Sequence, residues 1–382
     1  MLIGMRLPRR KSKAIFALSI ALALDVAVCL PARALWGSSK TAPADRPIVE
    51  PAGAIPNLIE ALPSYGHFSL TGITFYKGQV FVGSNIGLIE VKDSVPLAVY
   101  RWDTDDAVVE GPWADKANDS LWIQRDHDGV LLRMDQAGWH LVRLPASPNG
   151  YYTRGDVLAG FQGVSDPSGF RLVGGGFVWS WGTAGGWTLE PSPPVPKYSA
   201  VEGVAISGSD QIFVAQLGTC VLPPCRYAAY WREANGWGPA ITVPMSRVKQ
   251  VVGTTSEAIV RGEDGNLVRM TQTEAVTVPA PGPVEAVTRA SNGNMLASIA
   301  GAGIFAHDGE HWTKLLDYPN GVAPGEHWAY LAEEGGVVAF ATTMVPHLQG
   351  STNKFTYSGS AALWVSVGAQ WIRVPLGKPA TN

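Results

Sequence analysis

Cysteine is scarce: the 382 residues contain 3, and one of them, Cys29, falls inside an apolar N-terminal run. That count excludes a small scaffold stapled by many disulfides and the paired cysteine ligand sets of zinc ribbons. Charge is also sparse, at 16% Asp, Glu, Lys and Arg, and no basic run tracks a phosphate backbone, so nucleic acid is not an expected partner. Long apolar patterns of helical period are missing after the first 34 residues, which argues against a helical fold. The chain has no G-x-S-x-G elbow, no H-E-x-x-H pair, no phosphate-binding glycine loop and no dinucleotide fingerprint. Those absences remove several common enzyme folds, but they leave open a site assembled from distant segments.

The first 34 residues read as a signal peptide. Arg6, Arg9, Arg10, Lys11 and Lys13 precede an apolar stretch from Ala14 to Leu30, and Ala32-Arg33-Ala34 offers small residues for cleavage before Leu35. Asp25 interrupts the stretch, so no stable membrane span is expected once the signal is cleaved; the alternative is a chain tethered by an uncleaved N-terminal segment. The remaining 348 residues carry 23 basic and 31 acidic side chains, a formal charge of −8. Residues 35–61 form a linker and lead-in, of which Gly37 to Pro56 is small, charged and proline-rich and cannot bury enough surface to order itself. The expected location is periplasmic or secreted.

What the chain does have is punctuation. Its 43 glycines and 28 prolines separate short apolar runs, the mark of many turns between short strands. One unit, Asp119 to Pro145, reads as strand, Asp128-Gly129 turn, strand, turn at Gln136 to Gly138, and a last strand from Trp139 ending in proline. The same order recurs along the chain and closes on Pro96, Pro145, Pro191, Pro244, Pro279, Pro319 and Pro375, spaced 35 to 56 residues apart. A four-stranded antiparallel blade needs about 45 residues. The reading is therefore an all-β protein, a β-propeller of seven four-stranded blades over residues 62–377, with 378–382 as a C-terminal tail.

Trp139, Trp187, Trp237, Trp312 and Trp371 recur at or near the terminal strand of five units and are expected to fill the widening space between blades, each indole N–H finding a carbonyl or water. Asp128-Gly129, Asp264-Gly265, Asn292-Gly293 and Asp308-Gly309 are expected hairpin turns. Cys220 and Cys225 in CVLPPC are expected to form a disulfide in an oxidising compartment, and the two regions Cys220 to Tyr230 and Val345 to Tyr357 stretch the repeat as insertions.

The segments LWIQRDHDGVLLRMDQAGW, VFVGSNIGLIEV and MLASIAGAGIFAHDGEHW resemble degenerate β-propeller repeats of the kelch type and, more closely, those of bacterial extracytoplasmic sensor regions. The resemblance implies sensing, protein interaction or carbohydrate-related recognition, although the signalling domain that accompanies such sensors is not present in this chain. The leading expectation is a non-enzymatic exported module that binds a cell-envelope protein or a glycan. One alternative is a hydrolase or lyase with a polar or metal-dependent site at one mouth of the central channel; another is a purely structural envelope protein.

Four groups could carry chemistry. Asp103, Asp105, Asp106 and Glu110 form an acidic connection, and Asp126, His127 and Asp128 share a turn; either could bind calcium, and the second could transfer a proton, though a solvated loop and a surface hairpin are the plainer readings. His307, His311 and His327 could gather around a metal only if turns converge. Tyr151, Tyr152, Tyr227 and Tyr230 could stack against sugar rings or cover a peptide. No cofactor is expected beyond possible calcium.

Overall fold

The computed structural model describes residues 57–59, 64–65 and most of 69–379. Residues 1–56, the segments 102–108, 126–129, 143–161 and 350–353, and several shorter loops lie outside the described residues. The leader, the linker, the Asp126–Asp128 turn, Asp103, Asp105, Asp106, Tyr151 and Tyr152 therefore fall outside them as well.

Seven antiparallel sheets follow one another along the chain, so the protein is an all-β, seven-bladed propeller with mostly four-stranded blades. The first strands of the blades are Leu70–Tyr76, Val109–Asp115, Gln162–Asp166, Ala200–Ser207, Val248–Gly253, Val284–Arg289 and His327–Glu334. Each touches the first strand of the next blade, and His327–Glu334 touches Leu70–Tyr76, so these seven strands form the innermost ring.

The second and third strands of each blade lie between two neighbouring blades, which explains why they read as unbroken apolar runs instead of alternating ones. Ser120–Arg125 in blade 2 and Met295–Ile299 in blade 6 are buried at every position. An apolar cluster fills every junction. Leu121, Ile123 and Leu132 of blade 2 meet Phe81 and Leu88 of blade 1, and Trp122 of blade 2 meets Phe170 and Leu172 of blade 3. Further clusters fill the junctions of blades 3 with 4, 4 with 5, 5 with 6 and 6 with 7. A sheet of this size is unstable alone, and the stacking covers both of its faces.

Closure joins blade 7 to blade 1 without a shared sheet, because each of these blades is built from its own consecutive strands. Val82 and Ile89 of blade 1 pack with Ala339 and Leu363 of blade 7. The Leu70 N–H donates to Thr343 Oγ1 at 2.8 Å, and the Tyr330 hydroxyl donates to the Leu70 carbonyl at 3.3 Å. Outside the ring, Ser64–Tyr65 pairs in parallel with Lys378–Pro379, and Asn57–Ile59 adds a fifth, outer strand to blade 1.

The two insertions expected from the sequence lie between second and third strands. In blade 4, residues 217–226 carry the disulfide. In blade 7, the 13-residue strand Val337–Gln349 runs past its sheet and pairs with Lys354–Ser358. Three of the expected hairpin glycines have the left-handed backbone such turns require, with φ of 77° at Gly265, 89° at Gly293 and 106° at Gly309.

Candidate functional site: one mouth of the inner ring

In a four-stranded antiparallel blade, the links from first to second strand and from third to fourth share one end. The remaining links share the other. At the first end every link is short, from the two residues Lys77 and Gly78 to the five residues 290–294. At the opposite end the links include 102–108, 143–161, 190–199, 217–226 and 317–326, the longest being 19 residues. Variable binding surfaces are commonly long connections held on a rigid frame, so the mouth at this end is the candidate site.

A recurrent irregularity shapes that mouth. The inner strands of blades 1, 2, 4, 5 and 6 each shift register near their start, between Leu70 and Gly72, Glu110 and Trp113, Val201 and Gly203, Val248 and Gln250, and Val284 and Ala286. A bulge re-aims a side chain out of the ladder. In blade 1 the Thr71 hydroxyl donates to the carbonyls of Val109 and Gly111 on the next inner strand. The strands approach so closely here that a Cβ on Gly72 would lie 2.4 Å from the Gly111 carbonyl oxygen.

In blade 6 the bulged residue is Glu285, and it organises a buried polar cluster. Its Oε2 accepts from the Tyr318 hydroxyl at 2.7 Å and from Ser298 Oγ at 3.3 Å. Its Oε1 accepts from the Gly325 N–H at 3.1 Å and lies 3.4 Å from His327 Nε2. The two side chains are only 8% and 2% exposed. Burial pushes the Glu285 pKa up, but the hydrogen bonds from His327 and Tyr318, the His327 charge and the Gly325 N–H outweigh it and hold the carboxyl below its usual range. Burial, then the hydrogen bond to Glu285 and its charge, raise the Tyr318 pKa. On the blade 5 side, burial lowers the Arg261 pKa and the Glu285 charge opposes that shift. The cluster thus clamps blades 5, 6 and 7 together beneath the mouth.

A second tie acts beside it. The Gln250 amide donates to the Val287 carbonyl at 2.6 Å and accepts from the Val287 N–H at 3.2 Å, fixing the inner strand of blade 5 to that of blade 6. Above these ties sits the accessible part of the mouth. Trp328, on the inner strand of blade 7, is 50% exposed, and it is the one tryptophan among the described residues to be so exposed. Lys249, the bulged residue of blade 5, holds its ammonium 5.9 Å from the Trp328 ring centroid. Lys249 Nζ also lies 3.4 Å from Glu263 Oε1, and Arg247 Nη1 lies 3.1 Å from Glu263 Oε2. The result is a flat indole bordered by two cationic donors and one anionic acceptor.

The histidines singled out from the sequence do not form one group. His307 packs against Trp312 with ring centroids 4.7 Å apart and accepts from the Gly309 N–H at 3.3 Å, and His311 is exposed in the same turn; His327 belongs to the Glu285 cluster. Among the described residues, no three His, Cys, Asp or Glu side chains are grouped to hold a metal ion. Tyr227 and Tyr230 are buried in blade 4, 3% and 4% exposed, which removes them from any sugar-stacking surface. Glu110 lies on the inner strand of blade 2. Cys220 and Cys225 are disulfide-bonded, with sulfurs 2.08 Å apart, and the Cys225 N–H donates to the Ser246 carbonyl, anchoring the link that carries Arg247.

The five repeat tryptophans pack between or along blades, but only some of their indoles find acceptors. Trp312 donates to the Pro279 carbonyl at 2.9 Å and Trp371 to that of Asp317 at 2.7 Å, each reaching the end of the preceding blade. The Trp139 and Trp187 N–H groups are buried without a partner. Trp237 packs edge-on to Phe213, with centroids 4.7 Å apart. Sequence reading passed over Glu285, Tyr318, Arg261, Lys249 and Trp328. The available signal was position: Thr71, Lys249, Glu285 and Trp328 each stand second in their inner strands.

Comparison with known proteins supports the class and no more. No family model matches the chain, and no curated protein matches it. Among solved structures, it is similar to the acylaminoacyl peptidase of Pyrococcus horikoshii at 10% identity and a TM-score of 0.50, covering 81% of this chain and 52% of that one. It is similar to the β-propeller domain of the Trilobed protease from Pyrococcus furiosus at 9% identity and a TM-score of 0.48, covering 81% and 96%. It is also similar to BBS1N, solved in complex with ARL6DN, at 12% identity and a TM-score of 0.47, covering 75% and 92%. At such identities the likeness is one of fold, a seven-bladed β-propeller, and these neighbours include both enzymes and a binding protein.

Proposed function

We propose that this protein is an exported, non-enzymatic binding module that holds a cell-envelope ligand at the mouth carrying its long connections. The observation that carries the reading is the inequality of the two ends: links of two to five residues on one, links of up to 19 on the other. The inner ring supplies a rigid frame, and the accessible side chains at the mouth are an indole and paired ions, which suits reversible contact. The groups able to move a proton there, Glu285 and His327, are sealed from solvent and occupied with one another, which disfavours a channel-end hydrolase built on them.

Export follows from the basic and apolar leader, and the Cys220–Cys225 disulfide suits an oxidising compartment. The test immobilises the purified protein and exposes it to fractionated envelope polysaccharide and envelope protein. Retention of one fraction, lost when link 317–326 or 244–247 is replaced by a glycine-serine segment of equal length, is the expected result. Robust turnover of a substrate in that fraction, or retention unaffected by replacing any link at this end, overturns the reading.

A further inference from the structure

We infer that Trp328, Lys249, Glu263 and Arg247 form a subsite for a neutral pyranose, the sugar ring lying on the indole face and its hydroxyls meeting the surrounding ions. This deepens the proposed binding function and rests on the same mouth. Three features of the geometry support it. The half-exposed Trp328 stands apart from the packed tryptophans: Trp122 and Trp179 are fully buried, and Trp312 and Trp371 spend their N–H groups on backbone carbonyls. An aromatic face carries partial negative charge, and the C–H face of a pyranose offers it weakly positive hydrogens over a matching flat area.

Hydroxyls both donate and accept, so a neutral sugar is best met by donors and acceptors side by side. Lys249 and Arg247 are the donors, Glu263 is the acceptor, and their mutual contacts at 3.4 and 3.1 Å hold them in one place. A polyanionic ligand fits less well. Glu263 already neutralises part of the cationic rim, and the chain is net negative, −3 overall and −8 beyond residue 34.

The platform is also preorganised. Gln250 ties the Lys249 strand to the next inner strand, and the Glu285–His327–Tyr318 cluster fixes His327, the residue immediately before Trp328. Little side-chain freedom beyond that of Lys249 is left to lose on binding.

The experiment titrates the purified protein with maltotetraose, cellotetraose and tetra-N-acetylchitotetraose by calorimetry and tryptophan fluorescence. Tetragalacturonate and a poly-glutamate peptide serve as comparators. The expected result is binding of at least one neutral oligosaccharide, weakened about tenfold or more by Trp328→Ala, less by Trp328→Phe, and several-fold by Glu263→Gln or Lys249→Gln. Unchanged thermal unfolding of Trp328→Ala shows that the loss belongs to binding.

Wild-type affinity in Trp328→Ala, or no neutral sugar bound at millimolar concentration, overturns the subsite. Preference for tetragalacturonate overturns its neutrality, and Trp328-dependent binding of the peptide alone replaces sugar by protein. If envelope material is still retained by Trp328→Ala, the proposed function stands and the subsite falls. If wild-type protein retains none, both fall.

Discussion

Replacing Glu285 by glutamine keeps the size of the side chain and removes its charge at the point where three blades meet. The carboxylate accepts from Tyr318, Ser298 and Gly325 and faces His327, and an amide has only one oxygen with which to accept. Whichever way the amide turns, at least one donor now meets an NH2 group. Hydrogen bonds to buried charge contribute about 1.5–3 kcal/mol each, and breaking a buried charged group out of its partners costs about 3–5 kcal/mol. A loss of about 4 kcal/mol follows, which for a chain of this size lowers the unfolding midpoint by roughly 8 °C.

The pH dependence fixes the sign independently. A carboxyl held below its ordinary value of 4.5 stabilises the fold above that pH, and the contribution disappears as pH falls through the folded value. Calorimetry at pH 7 should therefore show the full gap between wild type and Glu285→Gln, and scans below pH 4.5 should show it closing. Equal midpoints at pH 7, or a gap that widens in acid, would refute the assignment of Glu285 as the ionised centre of the clamp.

Other perturbations read other parts of the frame. Cys225→Ser removes a bridge over a short loop and should cost about 2 kcal/mol, matched by wild type under reductant and checked by chemical denaturation. Phe340→Ala, fully buried at the junction of blades 6 and 7, should cost about 4 kcal/mol without altering the denaturant slope. Gly72→Ala forces a methyl against the Gly111 carbonyl, so it should destabilise by about 2 kcal/mol or more and strain the start of blades 1 and 2; an unchanged midpoint would contradict the close approach.

The outer architecture was legible because apolar runs, Asp-Gly turns and terminal prolines mark the second, third and fourth strands, as in Asp119 to Pro145. Central strands such as Met295–Ile299 carry continuous apolar residues since two blades cover them, and that signal survives in the sequence. The inner strands were far less visible. Val248–Gly253 and His327–Glu334 mix apolar positions with Lys249, Gln250, Trp328 and Glu333, because one edge meets the mouth or channel and bulges disturb the period of two.

The site was least legible for the same reason. Glu285 meets Tyr318, Gly325 and His327 from 33 to 42 positions away, through a link and a strand of the next blade, so no local spacing announces the cluster. His327 drew attention only as a histidine, and the group imagined for it with His307 and His311 was not the one it joins. Tyr227 and Tyr230 read as surface aromatics, yet blade 4 buries both.

The most direct test of the binding face is hydrogen exchange of the purified protein with and without the envelope fraction it retains. Protection gathered in peptides covering 244–250 and 317–330 is the predicted result. Protection confined to the short turns of the opposite end, such as 290–294 and 335–336, would contradict it.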